Sequence, residues 1–285
     1  MGDSKSVGFE MAFLRLGAEV PLPPSCVYPG ARLRVRAPAR LLGGDYIVAL
    51  GGSATFGKGV ARPWPQLLEA ATGRAVVNLG AVGAGPEAYL RDPGLLAACH
   101  GAASVVVQLP GAERVGNPYY RVHPRRNDRV IEVRAPLRSL YPEIDFHDIG
   151  FARALLERLH RLDAGRFAEL TVGLQAAWAD RMEALLDRLP TSASALLLWL
   201  GDRSMTARPA NLPERAVPAL VTADMLQALR PGATRLVEAV VPHSTTAGIP
   251  GLPSQSAHEV AAAALAAELA LPHPDAFQGP RRAVG

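Results

Sequence analysis

Five short apolar runs punctuate the chain: 46–50 (YIVAL), 75–79 (AVVNL), 104–109 (SVVVQL), 195–200 (ALLLWL) and 234–241 (TRLVEAVV). They have the length and the Val, Ile and Leu content of strands, and Gly or Pro stands at or just beyond the end of each. A run that is apolar at nearly every position, instead of alternating, belongs to a strand buried on both faces. Between the runs the apolar period changes to that of a helix. Over 164–189 it falls on Leu170, Leu174, Ala177, Trp178, Met182, Leu185 and Leu186, one stripe of a long amphipathic helix. Shorter helices are predicted over 65–71, behind Pro63-Trp64-Pro65, and over 86–98 with an interruption at Pro93. Others are expected over 146–160, over 222–229 with Thr222 as cap, and from a Ser254 cap to about residue 269. Strands alternating with helices give a parallel sheet covered on both faces.

Three segments depart from this rhythm. Residues 1–44 are rich in Pro, Gly and Arg and read as an N-terminal extension lying over the main domain, with an edge strand near 32–36. Residues 273–285 read as a tail, which leaves 45–272 as the α/β domain. Within it, 116–145 is long, basic and aromatic with few helix-forming runs, and reads as an inserted loop. A long insertion after the C-terminus of a strand is more often a lid or binding loop than a passive connection.

Composition narrows the class. The chain of 285 residues is 49% hydrophobic and 20% charged, which excludes wholesale disorder. The net charge of +4 comes almost entirely from arginine; it is mild and spread out, so no nucleic-acid partner is expected. Cys26 and Cys99 stand far apart and suggest neither a disulfide framework nor a zinc site. The first residues do not read as a secretory signal, and no apolar run approaches the ~20 residues that span a bilayer. A soluble, cytoplasmic protein with no membrane partner is the expectation.

In an open parallel sheet ligands bind beyond the strand C-termini, where strand order reverses. That places the candidate site at Ser53, Gly83, 111–117, Asp202 and the stretch from His243 to His258. The stretch after the first strand, Gly51-Gly-Ser-Ala-Thr-Phe-Gly-Lys58, supports two chemistries. Gly52 to Lys58 fits the spacing of a phosphate loop. Yet Gly59 stands where a magnesium-holding Ser or Thr belongs, and Val60-Ala-Arg-Pro-Trp-Pro65 delays the helix that should face the phosphates. The other chemistry is acyl transfer by Ser53. A turn serine whose hydroxyl simply satisfies backbone amides is the plain alternative.

The order of these pieces resembles the SGNH (GDSL-type) hydrolases. Gly51, Ser53, Thr55 and Gly57 match the first block, and Asn78-Leu-Gly80-Ala-Val-Gly83 looks like the second. Gly111-Ala-Glu-Arg114 occupies the place of the third, and a stretch ending at His258, with Gln255 three residues before it, that of the last. The resemblance implies a flavodoxin-like three-layer α/β sandwich with a five-stranded parallel sheet. It implies catalysis by Ser53 and a histidine base, His258 with His243 as fallback, and no cofactor. Amides of Ser53 and Gly83 would hold the oxyanion. Glu113 replaces the family's asparagine, so Arg114 or Asn117 would supply the third donor. No Asp precedes His258 by three residues, which leaves a Ser–His dyad. With the helix starting at Ser254, the family's histidine position falls on Leu252.

The insertion adds binding chemistry: Tyr120, His123, Arg125, Arg126 and Asn127, with Arg114 upstream, combine a stacking face with guanidinium forks that grip anions. Solvated ion pairs with Asp128 and Glu132 are the competing reading. The function expected is a serine esterase or acyltransferase acting on an acylated carbohydrate or small polar ester. The alternative is a catalytically silent protein that binds an anionic glycan or nucleotide-like ligand in the same crevice. A small-molecule or carbohydrate substrate is the expected partner, and self-association into a homo-oligomer stays open.

Overall fold

A computed structural model describes residues 22–207, 217–229, 234–241 and 252–271. Its centre is a five-stranded parallel sheet of β3 (Tyr46–Leu50), β4 (Ala75–Asn78), β5 (Ser104–Gln108), β8 (Ser194–Gly201) and β9 (Thr234–Val240), in the order β4-β3-β5-β8-β9. The five apolar runs are these strands, to within a residue or two at their ends. Alternate side chains leave the sheet on opposite faces, and both faces are covered. Ile47, Ala49, Val106, Leu196 and Leu198 pack with α2 (Trp64–Thr72) and α9 (Gln255–Ala270). On the other face Val48, Leu50, Val105, Val107 and Trp199 pack with α3 (Pro86–Leu90), α4 (Pro93–Ala97) and the C-terminal half of α7 (Ala164–Leu186). The result is a three-layer α/β sandwich.

Strand order reverses between β3 and β5: the chain leaves β3 for β4 on one side and comes back to β5 on the other. The C-terminal ends of β3 and β5 therefore border a crevice, lined among others by Gly52, Ala84, Gly85, Gln108 and Pro110.

Residues 22–37 do more than lie over the sheet. Strands β1 (Ser25–Cys26) and β2 (Val35–Arg36) pair antiparallel, and Tyr28, Leu33 and Val35 are buried in the core of the second face. The buried Asp92 carboxylate accepts hydrogen bonds from the amides of Arg32 and Leu33, both at 2.8 Å.

The insertion after β5 is not a loop, which corrects the expectation for 116–145. Strands β6 (Tyr120–His123) and β7 (Arg126–Val133) form a hairpin with register shifts between Arg121 and His123, and α5 (Ala135–Leu140) follows. It was illegible because β7, RNDRVIEV, is mostly polar and buries only Asn127 fully; only Val122 and Tyr120 carry the alternation. The hairpin closes over its own apolar cluster of Tyr120, Leu137, Tyr141, Leu155, Leu159 and Leu170. Helix α6 (Ala152–Leu162) starts later than expected, because Phe151 is in extended backbone and bridges Arg129 of β7. Helices α8 (Ala223–Ala228) and α9 are capped as predicted, by Thr222 accepting from Met225 N–H (3.4 Å) and Ser254 from Ala257 N–H (3.3 Å). Among the described residues no helix is long and apolar enough to cross a membrane.

Candidate functional site

After β3 the chain turns at Gly51-Gly52 into a single helical turn, α1 (Ser53–Phe56), which ends at Gly57. Side chains from elsewhere hold this turn from four directions. The Tyr89 hydroxyl accepts from Gly51 N–H (3.1 Å), and its proton lies between the carbonyls of Gly51 (2.6 Å) and Leu79 (2.8 Å). Burial pushes that phenol well above its ordinary pKa, so it stays a neutral donor. Gln108, at the end of β5, accepts from both the amide (3.1 Å) and the hydroxyl (2.5 Å) of Thr55, which satisfies one of the free N-terminal amides of the turn. Asn78 donates to Thr55 C=O (2.8 Å) and accepts from Gly80 N–H (2.9 Å). Arg36 donates to the carbonyls of Phe56 (3.0 Å) and Gly57 (3.3 Å). The Gly-x-Ser-x-Thr-x-Gly spacing is thus a locked turn that presents one half-buried side chain, Ser53.

Ser53 Oγ accepts a hydrogen bond from Gly83 N–H at 3.0 Å. Gly83 has φ +71°, in the left-handed region that glycine enters without penalty. A Cβ there would overlap the Arg126 guanidinium and the Asp128 carboxylate. The hairpin therefore lies directly on this glycine, tied by Asp128 N–H to Gly83 C=O (3.2 Å). Asn127 fastens it further. Its Oδ1 accepts from Gly85 N–H (2.9 Å) and Ala88 N–H (3.1 Å), capping α3, and its Nδ2 donates to His123 C=O (3.0 Å).

The remaining sequence-chosen residues divide plainly. Arg114 reaches the turn: its Nη1 lies 3.7 Å from where a Cβ on Gly52 would be. Arg126 reaches it through Gly83, while paired with Asp128 by two bonds of 3.1 Å. Asn127 is fully buried as the cap just described. Asn117 is buried as well, donating to Val115 C=O and accepting from the amides of Tyr119 and Tyr120. Tyr120 is at 0% exposure with its hydroxyl on Glu113 C=O (2.9 Å), so its ring has no open face for stacking. His123 Nδ1 accepts from the amides of Arg125 and Arg126, both at 3.2 Å, and shapes the hairpin tip that carries the exposed Arg125. Asn127 ties the insertion to α3, whereas the side-chain hydrogen bonds of Asn117, Tyr120 and His123 stay within residues 113–126.

His258 sits in the first turns of α9, fully buried. Its Nδ1 accepts from the backbone N–H of Trp64 (3.1 Å), the first residue of α2, whose Pro63 cap supplies no side-chain bond. Its Nε2 is buried without a partner, so it is not hydrogen-bonded to Ser53. Burial lowers its pKa to about 4. His243 lies outside the described residues. Lys58 follows a helix of four residues that ends at Gly57, and α2 begins only at Trp64. The helix that a phosphate loop would need behind it is not there.

A model of one protein family matches residues 11–274, and its description is a domain of unknown function, DUF6473. The chain belongs to that family. No curated protein matches it. Among solved structures it is similar to "Salicylyl-Acyltransferase SsfX3 from a Tetracycline Biosynthetic Pathway", at 13% identity and a TM-score of 0.39. That likeness covers 80% of this chain and 56% of the other, so the chain spans a little over half of that protein's length.

Around the serine turn this chain thus gathers a hydroxyl, a backbone amide and two guanidinium groups. Glu113, in the short 3-10 turn Ala112–Arg114, is buried at 4% exposure. Its Oε1 lies 3.4 Å from Arg114 Nε and its Oε2 has no partner. The sequence reading missed Tyr89 and Gln108 as supports of the turn and Asp128 as the partner that orients Arg126. A polar residue closing an otherwise apolar strand, as Gln108 does, was the available signal; Tyr89 offered none, being one apolar position among many.

Proposed function

We propose that this crevice takes up an acyl compound and that Ser53 Oγ is the atom that attacks it, as in an esterase or acyltransferase of SGNH type. The observation that carries the reading is the 3.0 Å bond from Gly83 N–H to Ser53 Oγ at the point where strand order reverses. A carbonyl carbon bonded to Oγ has its oxygen beside the same amide, where negative charge develops during addition. Four separate contacts hold the serine turn rigid, which keeps the attacking atom in place. Among the described histidines none is hydrogen-bonded to Ser53. His258 is engaged elsewhere, so this reading takes its general base from another group.

One observation favours the second reading, a binding protein without turnover. His258 is committed to the N-terminus of α2, and Leu252 occupies the position ahead of α9 where the family resemblance would put the base. Labelling with a fluorophosphonate probe separates the two, since only an activated serine reacts. Labelling of the wild type that is abolished in Ser53→Ala supports acyl chemistry. An unlabelled wild type with a cooperative unfolding transition overturns it and leaves the binding reading. An acylated carbohydrate or small polar ester is the substrate class proposed.

A further inference from the structure

Arg114 and Arg126 come from different elements, the turn after β5 and the start of β7, yet they meet the serine turn from two sides. Arg114 Nη1 stands against Gly52, the residue before Ser53, and the Arg126 guanidinium stands against Gly83, whose amide holds Ser53 Oγ. Each is aimed by a neighbouring carboxylate. Glu113 lies 3.4 Å from Arg114 Nε, and Asp128 takes Nε and Nη2 of Arg126. A guanidinium carries five N–H donors in a fixed fork, so neither pair exhausts its arginine. Among the described residues Nη1 of Arg126 and both Nη atoms of Arg114 have no protein partner. Both side chains are only partly exposed, at 27% for Arg114 and 38% for Arg126, which weakens screening of an ion bound between them. Surface arginines paired for solubility have no reason to converge on the two glycines that flank one serine hydroxyl.

We propose that Arg114 and Arg126 form an anion subsite flanking Ser53, so that the ligand carries a carboxylate, phosphate or sulfate group next to its reacting carbonyl. The acyl part of this statement rests on the reading of Ser53 given above; the anion subsite rests on the arginine geometry alone. Bidentate guanidinium contacts then orient the ligand, and they also select against neutral esters.

The test is titration calorimetry at fixed ionic strength with sulfate, inorganic phosphate and acetate, on the wild-type chain and on Arg114→Gln, Arg126→Gln and Arg126→Lys. Arg121→Gln, on the same hairpin but paired with the exposed Glu132, is the control for net charge. Saturable binding of at least one anion is expected, weakened about tenfold or more in Arg114→Gln and Arg126→Gln. Arg126→Lys keeps the charge without the fork and should lose less; it and Arg114→Gln carry the test if Arg126→Gln does not fold. No saturable binding of any of the three anions overturns the subsite, as does an equal loss in Arg121→Gln. Fluorophosphonate labelling of the same proteins, measured separately without added anion, keeps the two proposals apart. Labelling without anion binding removes the subsite and spares the acyl reading; anion binding without labelling does the reverse.

Discussion

Gly83 is the residue on which the site turns. Its φ of +71° disfavours any other residue, and a Cβ there would make the ends of the Arg126 and Asp128 side chains move. Gly83→Ala adds a left-handed penalty of about 1–2 kcal/mol and pushes the Arg126 and Asp128 side chains off their present positions. We expect a loss of at least that much in urea-unfolding free energy together with loss of serine labelling; an unchanged midpoint would contradict the packing described. Ser53, by contrast, was conspicuous in the sequence, because it follows a buried strand in a Gly-x-Ser-x-Thr-x-Gly setting. The sequence could not say whether its hydroxyl only satisfies a backbone amide or also reacts, because the bond to Gly83 is common to both.

Among the elements, the hairpin β6–β7 and the long helix α7 link the insertion to the sheet. The N-terminal half of α7 contributes Phe167, Leu170 and Leu174 to the insertion's cluster, and its C-terminal half gives Trp178, Met182 and Leu185 to the sheet. Trp178 Nε1 donates to Pro110 C=O (2.9 Å) where the two meet. The apolar stripe of α7 was therefore legible, while the fact that it serves two cores was not: one period carries no label for its partners. Asn127 is the corresponding pin on the hairpin. Asn127→Ala removes the acceptor of the Gly85 amide and one of the two acceptors of the Ala88 amide, which also donates to Gly85 C=O (3.2 Å); this should cost about 1–3 kcal/mol. Hydrogen exchange should show the loss concentrated in β6, β7 and α3. Protection unchanged in those elements would mean that Asn127 is not what joins them.

The whole molecule depends on how the last helix closes the sheet. His258 of α9 caps the first amide of α2 across the layer, joining segments nearly two hundred residues apart in sequence. With its pKa lowered to about 4 by burial, it is neutral in the folded state, whereas the unfolded chain binds a proton near pH 6.5. Below 6.5 the unfolded state takes up more protons, so this contribution to stability is complete above that pH. It is lost as pH falls toward 4, on the order of 3 kcal/mol in all. Protonation at Nδ1 would also remove the acceptor for Trp64 N–H. Urea midpoints at pH 7.5 and 5.0 should differ more in the wild type than in His258→Gln; equal pH slopes in the two proteins would remove His258 from the account. The same histidine shows the limit of motif reading, since its spacing suggested a base and only the packing of α9 on α2 made it a cap.

What the sequence by itself determined is the layered α/β sheet, the position of its strands, and Ser53 at a strand end. Apolar periodicity follows from burial of whole elements, and that signal is local. Only the tertiary structure decided that 116–145 is a hairpin seated on Gly83, that Asn117, Tyr120 and Asn127 serve the fold, and that Arg114 and Arg126 converge on the serine turn. Those outcomes depend on which distant side chains meet, and a linear pattern of residue types does not record such meetings.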